Sequence, residues 1–305
     1  MWKLPSLQSD RQHPKVPEGI RIYAVGDVHG RADLLAAVLV QIEIDIALHP
    51  VSRPIAVFLG DYIDRGPNSK EVLDLLIAAN HTPDMVFLKG NHETFLLDFL
   101  KDPSLLDKWR QYGGLETLVS YGLQPPINPS LDDRIGLARA LAGALPSSHR
   151  AFLQALETTF ACGDFLFVHA GLRPLVPIEQ QAEDDLLWIR DDFLLWDKDF
   201  GKVVVHGHTP VLEPEIRFNR INIDTGAFAT GHLSCMTIEA GEIGFLIDAR
   251  RWLGALPDIA APRDEPMQSP EALAALHAAR LKENPRGYDA HALARLDPRR
   301  RPDPP

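Results

Sequence analysis

Hydrophobic positions along this chain come in short runs separated by longer amphipathic stretches, the alternation of a layered α/β protein. IRIYAV at 20–25 is a β-rich run, followed by a helical pattern over 32–48. A second strand is predicted at 54–59 with a helix over 69–79, and a third at 85–88 with a helix opening at 94–100. From about 101 to 158 the pattern is helical, with no convincing strand and with breaks at Gly113-Gly114 and Gln124-Pro125-Pro126. This stretch is expected to be a helical insertion packed against the sheet. Strand patterns resume at 165–168, 203–205, 221–223, 233–238 and 243–247. They predict a mixed or antiparallel second sheet, joined face to face with the first. Residues 1–19 read as a polar, proline-containing lead-in. Beyond 262 the chain is rich in Pro, Ala and Arg, with one helix predicted over 270–282 and a disordered finish. The expected division is a lead-in at 1–19, a domain over 20–262 with its insertion at 101–158, and a tail at 263–305.

Composition narrows the class. With 305 residues, 45% of them hydrophobic and 24% charged, the chain has enough apolar material for one large core. No apolar run is long enough to span a bilayer, and no apolar stretch follows the first charges as in a secretory signal. Two cysteines, Cys162 and Cys235, build no disulfide framework. A cytoplasmic setting without membrane contact is therefore expected. The net charge of -11 argues against general nucleic-acid binding. Phosphate binding stays open if metals and a few arginines reverse the sign locally.

The chemistry lies in where Asp, His and Asn fall. Asp27 and His29 stand in GDVHG after the first strand, Asp61 in GDYIDRG after the second, and Asn91 and His92 in GNHE after the third. His169 follows FLFV and His208 follows VVVHG, with glycines beside most of them to permit tight turns. A lone Gly-Asp after a strand is more often a capped turn, and a lone His there is more often satisfied by backbone. Five strand ends in order, each delivering an O or N ligand, point instead to a metal site. Carboxylate, imidazole and carboxamide without thiolate suit Mn, Fe or Zn. Six ligands exceed one tetrahedral zinc but suit two ions sharing a carboxylate, about 3.5–4 Å apart as in phosphoryl transfer. No anion loop ending in Arg follows either cysteine, and no GxxxxGK[ST] loop is present, which excludes cysteine phosphatases and P-loop nucleotidases. A non-catalytic phosphate-binding module is disfavoured because no element of the motif set is missing.

GDVHG, GDYIDRG and GNHE, followed by HAG and HGHTP, resemble the signature of the phosphoprotein phosphatase family of calcineurin-like metallophosphoesterases. The resemblance covers roughly residues 20–247. It implies a four-layer α/β/β/α sandwich and two divalent ions, with Mn the expected activator and Fe or Zn the alternatives. Carried over, Asp27, His29 and Asp61 would bind the first ion, and Asp61, Asn91, His169 and His208 the second. His92 would be the general acid, held by Asp64, while Arg65 and Arg190 in LLWIRDD would grip phosphoryl oxygens. His206 and Asp224 are expected to support ligands, though a turn role suits Asp224 equally. The remaining histidines, His149 among them, are expected to be solvated. The resemblance favours a bacterial-type serine/threonine protein phosphatase acting on a phosphoprotein or a phosphorylated small molecule. The alternative is a symmetrical bis(5'-nucleosyl)-tetraphosphatase, a branch from which Asp64 and Glu93 are departures. The tract WRQYGGLETLVSYG also looks like the bacterial protein-phosphatase group, and Trp109 to Tyr121 is the expected substrate-facing wall.

Overall fold

A computed structural model describes residues 14–79 and 84–246 of the chain. The first part of the lead-in and the tail with its predicted helix over 270–282 lie outside the described residues. The chain runs β1 (Ile20–Val25), α1 (Ala32–Leu48), β2 (Arg53–Phe58), α2 (Ser69–Ala79), β3 (Asp84–Phe87) and α3 (Asn91–Phe99). Then come α4 (Leu106–Gln111), α5 (Gly114–Ser120), α6 (Leu131–Ala144) and α7 (Ser147–Gln154). The second half holds β4 (Thr159–Cys162), β5 (Phe165–Val168), α8 (Glu183–Trp188), β6 (Val203–His206), β7 (Glu215–Ile216), β8 (Arg220–Asn222), β9 (Cys235–Glu239) and β10 (Glu242–Phe245).

Two mixed sheets form, ordered β10-β9-β1-β2-β3 and β4-β5-β6-β8-β7. Each contains a parallel trio, β1-β2-β3 in one and β5-β6-β8 in the other, edged by antiparallel strands. Period-two alternation decides the layers. Ile22, Ala24, Ile55 and Val57 meet Phe165, Phe167, Val203 and Val205 in a core between the sheets. The intervening residues Tyr23, Val25, Ala56 and Phe58 face α1 and α2 instead. On the far side Leu166, Val168 and Val204 pack under Leu186, Ile189 and Phe193. The result is the expected four-layer α/β/β/α sandwich. Each fully buried Phe or Leu contributes roughly 1.5–3 kcal/mol to holding it.

Two expectations need correction. β9 and β10 do not extend the second sheet; β9 crosses back and pairs antiparallel with β1, Val25 opposite Cys235. The run at 233–238 announces a strand, but only the free edge of β1 decides where it pairs. β4 and β7 were not foreseen, because both are short, half-buried edge strands with interrupted alternation. The insertion does supply helices. Leu106, Trp109, Leu118, Leu141 and Leu153 join the core beneath α1 and α2. α6 begins at Ser130, whose hydroxyl accepts from the Asp133 backbone N–H while Asp133 accepts from the Ser130 N–H. Among the described residues no helix is long and apolar enough to cross a membrane.

His149, expected to be solvated, is 1% exposed. Its Nε2–H donates to Asp74 Oδ1 at 2.8 Å and its Nδ1 accepts the Tyr121 hydroxyl at 2.7 Å. Both ring nitrogens are satisfied, so the buried imidazole ties α7 to α2 and to the end of α5. His149→Leu should strand the Tyr121 hydroxyl and cost about 1–3 kcal/mol in urea unfolding. Activity per folded molecule should be retained, and an unchanged unfolding midpoint would contradict this role.

Candidate metal centre

The parallel trios end at the same edge of the sandwich, so their carboxyl termini converge. β1 runs into Asp27 and His29, β2 into Asp61, β3 into Asn91 and His92, β5 into His169, and β6 into His208. β8 adds Asp224. All of these side chains are buried. The loops reach this edge through unusual backbone. His29, Asp61, Asp64, Arg65 and His208 have φ of 45°, 51°, 70°, 67° and 64°. Left-handed backbone is costly for residues with a Cβ and persists only where the surroundings impose it. Gly207, between β6 and His208, is a true packing requirement: a Cβ there would run into Asp27 Oδ1.

Asp61 sits at the centre. Its Oδ2 lies 3.4 Å from His29 Nε2, and its Oδ1 lies 3.4 Å from His169 Nε2. Two groups of ligand atoms share it: His29, Asp61 and His92, and Asp61, His169 and His208. Second bonds fix the imidazoles. His29 Nδ1–H donates to the Ile63 carbonyl and His169 Nδ1–H to the Leu59 carbonyl, both at 2.9 Å. Their Nε2 lone pairs therefore face inward. His169 Nε2 also stands 2.9 Å from Asn91 Oδ1 and 3.2 Å from His208 Nδ1. Lone pairs outnumber N–H donors at this meeting point. Asp27 Oδ2 accepts from the His208 N–H at 3.0 Å, while buried Asp27 Oδ1 and His208 Nε2 have no hydrogen-bond partner.

Protonation follows the same logic. Burial pushes His29 down to about 3 and His208 down to about 2, and lowers His169, so all three rings are neutral donors of lone pairs. Burial would raise Asp61, and only positive charge at the ring positions around it, His169 foremost, holds its carboxyl below the usual range; with those rings neutral, that charge must come from cations. Asp27 is pushed up by burial, then by Asp224 and Asp61, and burial likewise takes Asp224 up to about 6. Three buried carboxylates among neutral imidazoles lack countercharge. Divalent cations would supply it, and this donor set fits them.

His92 is placed differently. Its Nδ1 meets Asp64 Oδ2 at 2.7 Å, and its Nε2 lies 3.7 Å from Asp61 Oδ2 and 3.3 Å from Arg65 Nη2. Burial alone would lower its pKa, but Asp61 and the hydrogen bond with Asp64 outweigh that and raise it. Arg65 is half-buried, its guanidinium 5.0 Å from the Phe228 ring, which also meets His29 edge-on. Arg190 is exposed at the rim and donates to the Thr209 hydroxyl at 3.0 Å, next to His208. His206 points to the outer face, its Nδ1 near the Gly207 carbonyl and its ring against Phe193. It makes no hydrogen bond to a ligand side chain. Asp224 accepts from the Gly226 N–H at 2.9 Å, and its carboxylate adds to the charge felt by Asp27.

Sequence reasoning missed four contributors. In sequence Glu93 reads as part of GNHE and as a branch marker, yet its carboxylate accepts from the N–H groups of Gly90, Asp61 and Tyr62 at 2.8, 3.0 and 2.8 Å. It clamps the second loop to the third, which a helix-start reading of GNHE conceals. Trp109 and Thr117 are not a substrate-facing wall. Both are fully buried, and both donate to Asp64. Phe228 ends the segment IDTGAF at 223–228, and nothing in that local pattern marks it as a site residue.

The chain is 28% identical over 235 residues to the asymmetrical bis(5'-nucleosyl)-tetraphosphatase PrpE of Anoxybacillus flavithermus, covering 70% of this chain and 88% of that protein. It is also 28% identical over 228 residues to the Bacillus subtilis protein of the same name, covering 66% and 84%. A solved structure described as a putative diadenosine tetraphosphatase shares the fold, with a TM-score of 0.52, 20% identity, and coverage of 76% and 98%. The model of the calcineurin-like phosphoesterase family matches residues 20–233, which contain both ligand groups, and the chain belongs to that family.

Proposed function

We propose that this metal-dependent phosphoesterase hydrolyses a dinucleoside tetraphosphate. The observation that carries the chemistry is the single Asp61 carboxylate, each oxygen facing a separate cluster of lone pairs. In this reading Asp27, His29 and Asp61 hold one divalent ion, and Asp61, Asn91, His169 and His208 hold a second, with Mn the preferred activator. Bound divalent ions supply Lewis acidity at the phosphoryl oxygens and activate water. Arg65 and Arg190 bind and orient the phosphoryl group, Arg as a planar fork and Phe228 as its support. His92 delivers a proton from Nε2 to the leaving oxygen, and Asp64 orients the ring and stabilises its imidazolium. Glu93 keeps Asp61 and Asn91 in register by joining their loops.

The substrate class rests on two supports. The curated relatives carry the dinucleoside tetraphosphatase name over most of their length, which favours that branch over the protein-phosphatase expectation. A cavity of about 440 Å³ is lined by Trp188, Ile189, Arg190, Arg173 and neighbouring aspartates, and from it Arg190 reaches Thr209 beside His208. It offers a ring, a guanidinium and carboxylates to a base, a phosphate and a ribose. A second reading, phosphoserine or phosphothreonine hydrolysis, is favoured by the Asp64–His92 pair, because an alkoxide needs a proton more than a nucleotide leaving group does.

Side-by-side kcat/KM values for diadenosine tetraphosphate and a phosphothreonine peptide decide the substrate. The dinucleotide should be preferred, and a preference for the peptide would reverse the assignment. Asp61→Asn should weaken both clusters together, so metal analysis of the purified variant should show well under two equivalents. Two full equivalents would remove Asp61 from its bridging role. His92→Asn should retain metal and lose ~10²–10⁴-fold on esters with poor leaving groups, but much less on p-nitrophenyl phosphate. Equal losses on both would make His92 a phosphate-positioning group.

A further inference from the structure

Asp64 is held from the helical insertion rather than from the sheets. Its Oδ2, which meets His92 Nδ1, also accepts the Trp109 indole N–H at 2.8 Å. Its Oδ1 accepts the Thr117 hydroxyl at 2.6 Å. The Asp64 backbone N–H reaches Thr117 Oγ1 at 2.9 Å and Ser69 Oγ at 3.0 Å. Asp64, Trp109, Thr117 and Ser69 are all 0% exposed. The turn between α4 and α5 docks on the same loop, the Gly113 carbonyl accepting the Arg65 N–H at 3.0 Å. Gly113 has φ 92°, and a Cβ there would stand 2.6 Å from the Arg65 backbone nitrogen. The tract WRQYGGLET is therefore shaped around the loop that carries Asp64.

We propose that Trp109 and Thr117 are positioning residues for proton delivery: they hold the Asp64 carboxylate in the orientation in which Oδ2 meets His92 Nδ1. This rests on the reading of His92 as the proton donor. The physical need is specific. The terminal torsion of Asp is broad, so one hydrogen bond to His92 would leave the carboxylate free to turn. Separate donors on its two oxygens restrict that rotation, and the burial of both donors keeps water from replacing them. Asp64 itself has left-handed backbone, φ 70°, so the side chain is anchored from both ends. The insertion thereby acts on the reaction through Asp64 and His92 without touching substrate.

The alternative is that these donors only satisfy a buried charge. Trp109→Phe, Thr117→Val and Thr117→Ser separate the two, measured with Mn-loaded protein on phenyl phosphate and p-nitrophenyl phosphate, alone and combined with His92→Asn. Trp109→Phe and Thr117→Val should each lower kcat on phenyl phosphate by ~10-fold or more, within the range of general-acid effects. KM and metal content should hold, and p-nitrophenyl phosphate should be affected far less. Thr117→Ser, which keeps the hydroxyl, should restore near wild-type selectivity. In the His92→Asn background neither change should lower the rate further. Should Trp109→Phe fail to fold, the near-isosteric Thr117→Val and its serine counterpart carry the test. Unselective losses on the two esters, or losses that add to that of a selective His92→Asn, overturn this proposal alone. A His92→Asn variant that is itself unselective overturns the proton-donor reading and this proposal with it.

Discussion

The site depends on one electrostatic constraint: a buried carboxylate, Asp61, whose two oxygens both face imidazole lone pairs. Such an arrangement is unfavourable on its own, because burying a carboxylate is costly unless countercharge is close. Backbone carbonyls of Ile63 and Leu59 take the Nδ1 protons of His29 and His169, so neither ring can relieve Asp61 by turning an N–H towards it. The same choice that makes the site repulsive without cations makes it a strong ligand set with them. The chemistry and the hydrogen-bond pattern thus point the same way.

Holding this arrangement requires a rigid frame. The loops of the centre contain most of the non-glycine left-handed residues among those described, His29, Asp61, Asp64, Arg65 and His208. Each costs on the order of 1–3 kcal/mol. The core between the sheets and the helical layer over the first sheet offset that cost. Glu93 adds a local clamp. Burial and nearby Asp61 push its carboxyl up to about 7, yet its contacts are backbone N–H donors from both loops. Its role is therefore mechanical as much as electrostatic.

The helical insertion connects the outer layer to the centre. A layered fold could cover the first sheet with any apolar helices, and Leu106, Leu118 and Leu141 serve that purpose. Trp109 and Thr117 belong to the same buried layer but present polar atoms to Asp64. A buried indole N–H needs a partner, and here the partner is the carboxylate that meets His92 Nδ1. Core packing and site geometry consequently share residues.

Much of this was legible in the sequence. Short β-rich runs each followed by an Asp, His or Asn identify the strand ends and the ligand types, because local chemistry and period-two patterning survive in one dimension. His29, Asp61 and His208 could be named from their turns, and the alternation of β1, β2 and β3 with helices marks the first half as layered α/β. What the sequence left open was long-range. Whether 233–238 joined the second sheet or returned to β1 depended on which edge was free, and burial of His149 depended on α2 and α7 meeting around it. Trp109 looked like a surface wall because periodicity marks a residue as apolar without saying what it faces. Only tertiary structure brought it 45 residues back along the chain to Asp64, since a hydrogen bond between buried groups is set by the packing of whole elements and leaves no local pattern.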